Sequence, residues 1–454
     1  MVRGRSEETN GGAFVICALI SKMPPMPSEV PTEPVVPKPR GPFGLLFLIV
    51  LIDMMGFGIV LPLMPFFAEK FEASNLGITL LLSVYAAFQF VAAPVLGSLS
   101  DRVGRRPVLI VSQLGSATAS IVLGFVTAIH FKNPAVGLAL VYLTRVIDGI
   151  SGGNISAAQA YVSDVVAPAD RSKYLGLLGA AFGIGFALGP GLGGTLFKVY
   201  PALPLFVAAA ASITAATLAY FRLPESLKAG VPHEAGSHLA KSLRLMREPV
   251  LAQLVTLWFV VMLAFVSMES IFPLFARDLF GFRELGVGLS FTLAGCVIIL
   301  VQGRLIGPMI RLVGEWGIAI AGPIIFACAM LIFARMAYAP VLGVMLAAMM
   351  VNAFGRSMQV PALSSLVAHH APPGRQGAAF GLFHGMGSLA RVGGPALAGF
   401  LYDHGPAKPF FFAAILTSGA AVWAITLRNS RPAAAEEPIA EPVLAADEPT
   451  IGPH

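Results

Sequence analysis

Apolar residues in this chain come in long unbroken runs, not in the alternation of half-buried strands. A helix needs about 20 apolar residues to cross a bilayer. The runs predict helices over 43–68, 76–99, 107–130, 136–165, 173–197, 202–222, 250–276, 287–313, 317–338, 341–369, 376–402 and 408–428. A polar stretch at 223–249, with Lys228, Lys241, Arg244 and Arg247, is the longest interruption. It divides the chain into a six-helix bundle at 41–222, a cytoplasmic linker at 223–249 and a six-helix bundle at 250–428. At the start, the apolar run Ala13 to Ile20 is too short to span and a Pro-rich stretch follows it. Residues 1–40 are therefore expected to be a disordered tail. A cleaved signal peptide is the second reading, and the missing small-residue cleavage site speaks against it. Residues 429–454 are rich in Ala, Pro and Glu and are expected to be disordered too.

The two bundles read as weak repeats. Pro65-Phe-Phe-Ala68 echoes Pro273-Leu-Phe-Ala276, Gly189-Pro190 echoes Gly394-Pro395, and Arg171 echoes Arg375. The fold class is thus an all-α integral membrane protein, with twelve transmembrane helices in two pseudo-symmetric six-helix bundles.

Composition agrees. The chain has 454 residues, 56% of them hydrophobic and 12% charged, with mean hydropathy +0.79; a soluble domain carries roughly 25% charged residues. The net charge of +6 follows from loop topology and does not point to nucleic acid. With the amino terminus inside, the inner loops, linker and tail hold Arg102, Arg105, Arg106, Arg171, Lys173, Arg222, Lys228, Lys241, Arg244, Arg247, Arg311, Arg375, Arg428 and Arg431. The outer loops hold Lys70, Lys132, Lys198, Arg277, Arg283, Arg335 and Lys408. That bias of about two to one satisfies the positive-inside rule and puts both termini in the cytoplasm. Cys17, Cys296 and Cys328 are scattered, so neither a disulfide framework nor a metal site is expected. No P-loop signature is present, and no nucleophile–base pair suggests an enzyme. No cofactor is expected.

Charges inside the runs carry the chemistry. Asp53 lies about ten residues into the first helix, roughly 15 Å deep. A carboxylate there must be paired, neutralised or facing a wet cavity. It is either a proton-coupling group or a structural contact between helices. Arg145 and Asp148, three apart on helix 4, share a face and can form an ion pair that holds helices in register. Glu269 on helix 7 is either a second proton site or a helix-end contact. Arg391 on helix 11 either pairs with Glu269 or meets a substrate anion. Asn154, Gln359 and His384 complete the candidate substrate contacts. Phe66, Phe67, Phe88, Phe90, Met262, Met268, Met349, Met350 and Met358 either line a cavity suited to amphipathic compounds or face lipid and neighbouring helices.

Three segments carry a family resemblance. Gly97-Ser-Leu-Ser-Asp101-Arg102-Val-Gly104-Arg105-Arg106 resembles the G-x-x-x-D-R-x-G-R-R loop of the major facilitator superfamily. Asp53-Met-Met-Gly56-Phe-Gly58-Ile-Val-Leu-Pro62-Leu-Met-Pro65 resembles helix 1 of the tetracycline-resistance efflux proteins and their drug:proton antiporter relatives. Gly185-Phe-Ala-Leu-Gly189-Pro190-Gly191-Leu-Gly193-Gly194 resembles the antiporter motif G-x-x-x-G-P-x-x-G-G, which is associated with export. The resemblance implies a substrate cavity at the midplane between the halves. It implies proton transfer through Arg145, which with Gly149 matches the family's R-x-x-x-G, and an inside latch made by Asp101, Arg105 and Asp164. Arg102, Arg106, Gly185, Gly189, Pro190, Gly193 and Gly194 join the gating set. The loop at Gln302 to Arg311 lacks the motif's aspartate, so a latch in the second half must be weaker or built differently.

The expectation is a monomeric plasma-membrane transporter (inner-membrane if bacterial) that exports a small amphipathic compound in exchange for protons. A metabolite or sugar exporter, or a uniporter, is the alternative on the same fold. A membrane receptor with no flux is the rival from another class.

Overall fold

The computed structural model describes residues 41–166, 171–227, 245–372 and 375–429. The expected amino-terminal tail, most of the linker and the chain beyond Asn429 lie outside the described residues. We label the long helices α1 to α12. The first six are α1 (Phe43–Glu69), α2 (Asn75–Val103), α3 (Arg105–Ala128), α4 (Pro134–Val165), α5 (Arg171–Val199) and α6 (Leu203–Arg222). α7 (Pro249–Phe280) follows the linker. A 53-residue segment, Glu284–Met336, bends at Gly314 (φ 73°, ψ 168°); residues 284–313 are α8 and 315–336 are α9. α10 (Leu342–His370), α11 (Gln376–Asp403) and α12 (Lys408–Asn429) complete the set.

Local chemistry accounts for the boundaries. Ser74 caps α2 by accepting from Gly77 N at 3.1 Å, and Asn133 caps α4 just before Pro134, both ordinary starts. Gly281 closes α7 in the left-handed conformation. Pro62 and Pro65 are expected to break the ladder near the outer end of the first helix, whereas the fourth reads as unbroken. A 3-10 turn does interrupt α1 at Leu61–Leu63, where Pro62 removes a donor, and a second, not expected, interrupts α4 at Gly152–Asn154. Where a loop is expected between helices 8 and 9, a single non-helical residue makes the turn: Gly314 takes the positive φ that another residue would resist.

Nine segments among the described residues are long and apolar enough to cross a membrane by length and composition. α10 and α11 fall outside that set, and they carry Asn352, Arg356 and Gln359, and His384 and Arg391.

Packing repeats with a shift of six helices. α1 packs on α5 and α6, and α7 on α11 and α12; α3 packs on α4 and α6, and α9 on α10 and α12. The halves meet where α2 runs along α11 and α5 along α8, again one pair and its counterpart. Glu69 and Arg277, which close the echoing Pro65 and Pro273 segments, form an ion pair with each other. Equivalent residues meet in this way when they flank a pseudo-two-fold axis.

The buried apolar residues form three clusters. One spans both halves at the Glu69 end and includes Ile59, Phe67, Leu205, Phe272, Phe291, Phe333 and Phe410. At the Arg105 end each half has its own: Leu46, Leu109, Tyr161 and Ala215 in the first, and Leu251, Trp258, Leu363 and Phe383 in the second. Gly179 on α5, Gly303 and Gly307 on α8 and Gly385 on α11 meet no atom that an added Cβ would touch. The halves are therefore joined at the Glu69 end and apart at the Arg105 end.

The joint is made by two glycine stripes on α5. Gly185, Gly189 and Gly193 lie against α1, where an added Cβ would come within 2.7 Å of Met54, 2.8 Å of the Met55 carbonyl and 3.0 Å of the Ile59 carbonyl. Gly191 and Gly194 face α8, against Thr292 and Glu284. From the other side, Gly288 meets the Pro190 carbonyl and Gly295 meets Ala187. On the opposite pair, Ala396 N donates to Ser83 Oγ at 3.1 Å and Asn75 donates to Asp403 at 3.0 Å.

A Cβ at Gly288 would sit 2.3 Å from the Pro190 carbonyl oxygen. Gly288→Val should destabilise the purified protein by about 1–3 kcal/mol through overpacking. Gly419→Val, in open space on α12, should change it by no more than about 0.5 kcal/mol. Thermal unfolding of both variants checks the contrast.

Candidate functional site

Two cavities lie side by side near the middle of the bundle. The first is lined by Asp53, Gly56 and Phe57 of α1, Tyr85 of α2, Ser116 and Ser120 of α3, Asp148 and Gly152 of α4, and Ser212 of α6. The second lies between the halves. Phe57, Leu61, Leu82 and Tyr85 come from the first half; Val266, Glu269, Ser270, Arg391 and Pro395 come from the second. Phe57 and Tyr85 line both, with ring centroids 5.3 Å apart. This aromatic pair is the partition between two carboxylates on one side and Glu269 with Arg391 on the other.

Asp53 is held by its neighbours. Gln113 Nε2 donates to its Oδ1 at 3.2 Å, and Asn154 reaches the same carboxyl. Asn154, a candidate substrate contact from sequence, thus lies buried beside Asp53. Asp148 receives Arg145 Nη1 at 3.1 Å and the Ser116 hydroxyl. Arg145 is only 3% exposed, and its Nε and Nη2 have no partner. The 3-10 turn in α4 serves this site. Gly149 and Gly152 let α4 approach Tyr85 closely, and the Gly152 carbonyl accepts from Gln89 Nε2 at 3.0 Å. Gln89 also donates to the Tyr85 hydroxyl at 3.2 Å.

In the second half, Glu269 is buried and lies within electrostatic reach of Arg391 and Arg356. Glu269 shares its cavity with Leu61, the residue that the repeat aligns with it. His384 is exposed on α11, two turns before Arg391. Gln359 lies elsewhere. It is buried against Gly322 of α9, with both amide atoms unpartnered. Of the aromatic and methionine candidates, Phe67, Met268, Met349 and Met358 are core residues and Phe88, Phe90 and Met350 are exposed. Sequence reasoning singled out neither Tyr85 nor Phe57. A tyrosine one turn before Gln89 in an apolar helix was the available signal.

The loop motif builds a compact network. Arg105 is 3% exposed; it pairs with Asp101 and with Asp164 at 3.1 Å, and donates to Ser100 Oγ at 2.7 Å. Asp164 also accepts from Ser226 Oγ at 3.0 Å. Glu225, which sequence reasoning missed, caps α3 by accepting from Arg105 N at 2.9 Å and Arg106 N at 3.2 Å. Gly104 (φ 108°) admits that carboxylate, because a Cβ there would sit 2.4 Å from Glu225 Oε2. Arg106 donates to the Tyr220 carbonyl, and Arg102 is exposed. The whole network belongs to α2, α3, α4 and the residues just after α6.

The second half repeats this joint around an acid. Gly314, like Gly104, takes a positive φ, and the next residue is Glu315 instead of arginine. Glu315 accepts from Ser365 and lies 3.2 Å from His369 Nδ1, an ion pair only when that imidazole is protonated, both at the end of α10. The missing aspartate is thus explained: the second joint is built around an acid.

Long apolar helices, with carboxylates and guanidinium groups turned onto internal cavities, have the build of a membrane solute transporter. A sequence profile of the Major Facilitator Superfamily matches residues 46–337 and 305–449, and the chain belongs to that superfamily of transporters. It is 30% identical over 361 residues to the class C tetracycline resistance protein of Escherichia coli, covering 78% of this chain and 87% of that one. It is 28% identical over 377 residues to multidrug resistance protein 2 of Bacillus subtilis (strain 168), covering 82% and 91%. Among solved structures, that of the human organic anion transporter MFSD10 (TETRAN) matches with a TM-score of 0.64 and 25% identity over 84% of this chain and 98% of that one. The resemblance to efflux proteins first read in three short segments thus extends over most of the chain.

Arg105→Ala leaves two carboxylates without their shared cation and should cost about 3 kcal/mol. That is the low end for a broken buried pair, because Asp101 and Asp164 keep some contact with water. Arg102→Ala should change stability by no more than about 0.5 kcal/mol. Chemical denaturation of the two variants in matched detergent tests the difference.

Proposed function

We propose that the protein exports a small amphipathic compound in exchange for protons, by alternating access, as a monomer in the plasma membrane (the inner membrane in a bacterium) with both termini in the cytoplasm. The observation that carries the reading is the first cavity, where Asp53 and Asp148 converge with Arg145 as a single cation. A carboxylate in a closing, water-poor space is costly unless it is paired or neutralised. Asp148 has Arg145; Asp53 has only the neutral Gln113 and Asn154. Taking up a proton at Asp53 removes the charge that opposes closure, and releasing it on the other side resets the carrier.

The cycle places substrate beside the Phe57–Tyr85 partition, within reach of both cavities. Protonation at Asp53 or at the Arg145–Asp148 pair weakens substrate binding, and Glu269 is the third candidate for proton coupling. The halves rock about the midplane. The Asp101–Arg105–Asp164 network supplies a rigid face that the second half meets when the Arg105 end closes. Relatives named for tetracycline and multidrug resistance support export as the direction and amphipathic compounds as the cargo.

Reconstituted into proteoliposomes and given an imposed pH gradient, the wild-type protein should concentrate a fluorescent amphipathic drug. Asp53→Asn should lower gradient-driven transport by about 100-fold, the scale of losing a positioned acid–base group, and keep substrate exchange at zero gradient. Equal wild-type rates with and without the gradient, or an Asp53→Asn variant that still pumps uphill, would sink the coupling.

A further inference from the structure

The second half contains a cation that the proposed cycle does not use. Arg356 of α10 is only 9% exposed, yet it has no carboxylate within ion-pair distance among the described residues. Its guanidinium lies 4.4 Å from the ring centroid of Phe265 and 5.3 Å from that of Trp258. One N–H points at the Met262 sulfur at 3.3 Å, a weak acceptor. Nε and Nη1 have no partner, and neither does Trp258 Nε1. A buried guanidinium left this way is costly. Its planar fork is suited to a bidentate acid group.

The surroundings make a site of it. Trp258, Met262, Phe265 and Glu269 fall at helical spacing along one stripe of α7. Trp258 stacks on Phe383 of α11 with centroids 4.4 Å apart and planes 14° apart. Gly387 of α11 faces the indole nitrogen, where a Cβ would sit 2.9 Å away. One turn further along α11 is Arg391, which interacts electrostatically with both Arg356 and Glu269. Two arginines therefore share one carboxylate, and the region lacks one negative charge. It lies on the side of Glu269 that faces the open Arg105 end.

We propose that Arg356, between the Phe265 and Trp258 rings, binds the acid group of an aromatic or amphipathic monoanion. The carboxylate or sulfonate takes the free N–H groups of the guanidinium, and the ligand's ring extends along Trp258 and Phe383. Arg391 supplies the second charge, with Glu269 as the resident anion that the ligand competes against. This assigns a cargo class to the region between Arg356 and the second cavity, which Glu269 and Arg391 line. It rests on the export reading only in taking the ligand to be cargo, and does not depend on protons.

The test uses the full chain in nanodiscs of zwitterionic lipid at one fixed pH. Anthracene-9-carboxylate and the neutral 9-anthracenemethanol are titrated by fluorescence anisotropy. The wild-type protein should bind the carboxylate at least about tenfold more tightly, the scale of a charge-assisted contact. Arg356→Gln should remove that preference and leave the alcohol's affinity unchanged. Arg356→Lys, which keeps the charge but not the fork, should retain part of it. Glu269→Gln should tighten carboxylate binding several-fold and serves as a second arm if Arg356→Gln does not fold. The proposal is overturned if the wild-type protein binds both probes equally or neither, if Arg356→Gln keeps the preference, or if Glu269→Gln leaves carboxylate binding unchanged. No gradient is present, so a failure of proton coupling would leave these outcomes untouched.

Discussion

The close approach of α5 to two partners at once holds the molecule together. Packing between helices in a bilayer cannot draw on the exclusion of water from apolar surface, so it relies on small residues that bring backbones into contact. α5 meets this demand with one glycine stripe against α1 and a second against α8. The first stripe joins helices of one half, and the second joins the halves to each other. Every distinctive feature of the packing follows from having such a seam at one end only. The shared cluster of phenylalanines is at the seam, and the opposite end has two separate apolar clusters.

Charge is arranged against that frame with equal economy. Each half carries a joint at the Arg105 end in which a positive-φ glycine precedes a charged residue that reaches the end of α4 or α10. The signs are opposite in the two halves, so the repeat preserves geometry and not chemistry. The same holds deeper in. The first cavity has two carboxylates for one cation, and the region around Arg356 has two cations for one carboxylate. An interior of this kind is polarised across the Phe57–Tyr85 partition, with its acidic side in the first half and its basic side in the second.

Much of this was legible in the sequence, and the exceptions have physical causes. Helix positions followed from run length, since hydrocarbon thickness imposes a strict requirement on span. Asp53, Arg145, Asp148, Glu269 and Arg391 stood out because ionisable residues are rare at that depth. The Asp101–Arg105–Asp164 network followed from the resemblance. What could not be read was which face each residue takes. Gly193 and Gly194 are neighbours in sequence and meet different helices. Gln359 is as polar as Gln113, yet one packs against Gly322 and the other serves Asp53. Glu315 was overlooked because the motif was sought with its original charges. Arg356 also lies inside an apolar run, but only the structure shows it stacked between rings with no carboxylate at ion-pair distance among the described residues.

The seam and the first cavity are not independent. The α1 segment from Met54 to Ile59 lies directly on Gly185, Gly189 and Gly193, and Asp53 is the residue just before it. The partners of Asp53, Gln113 and Asn154, belong to α3 and α4, and none of the three atoms nearest each glycine of that stripe comes from them. α5 reaches α8 through its other face. In the proposed cycle the halves separate at the seam, and the pull on α5 passes to α1 through glycines packed so closely that an added Cβ would come within about 3 Å of α1. α1 then shifts, in that cycle, relative to α3 and α4, and the contacts that hold the Asp53 carboxyl lengthen. In that cycle, opening one end of the molecule and exposing Asp53 are one displacement, carried by glycines that hold α5 and α1 in close contact.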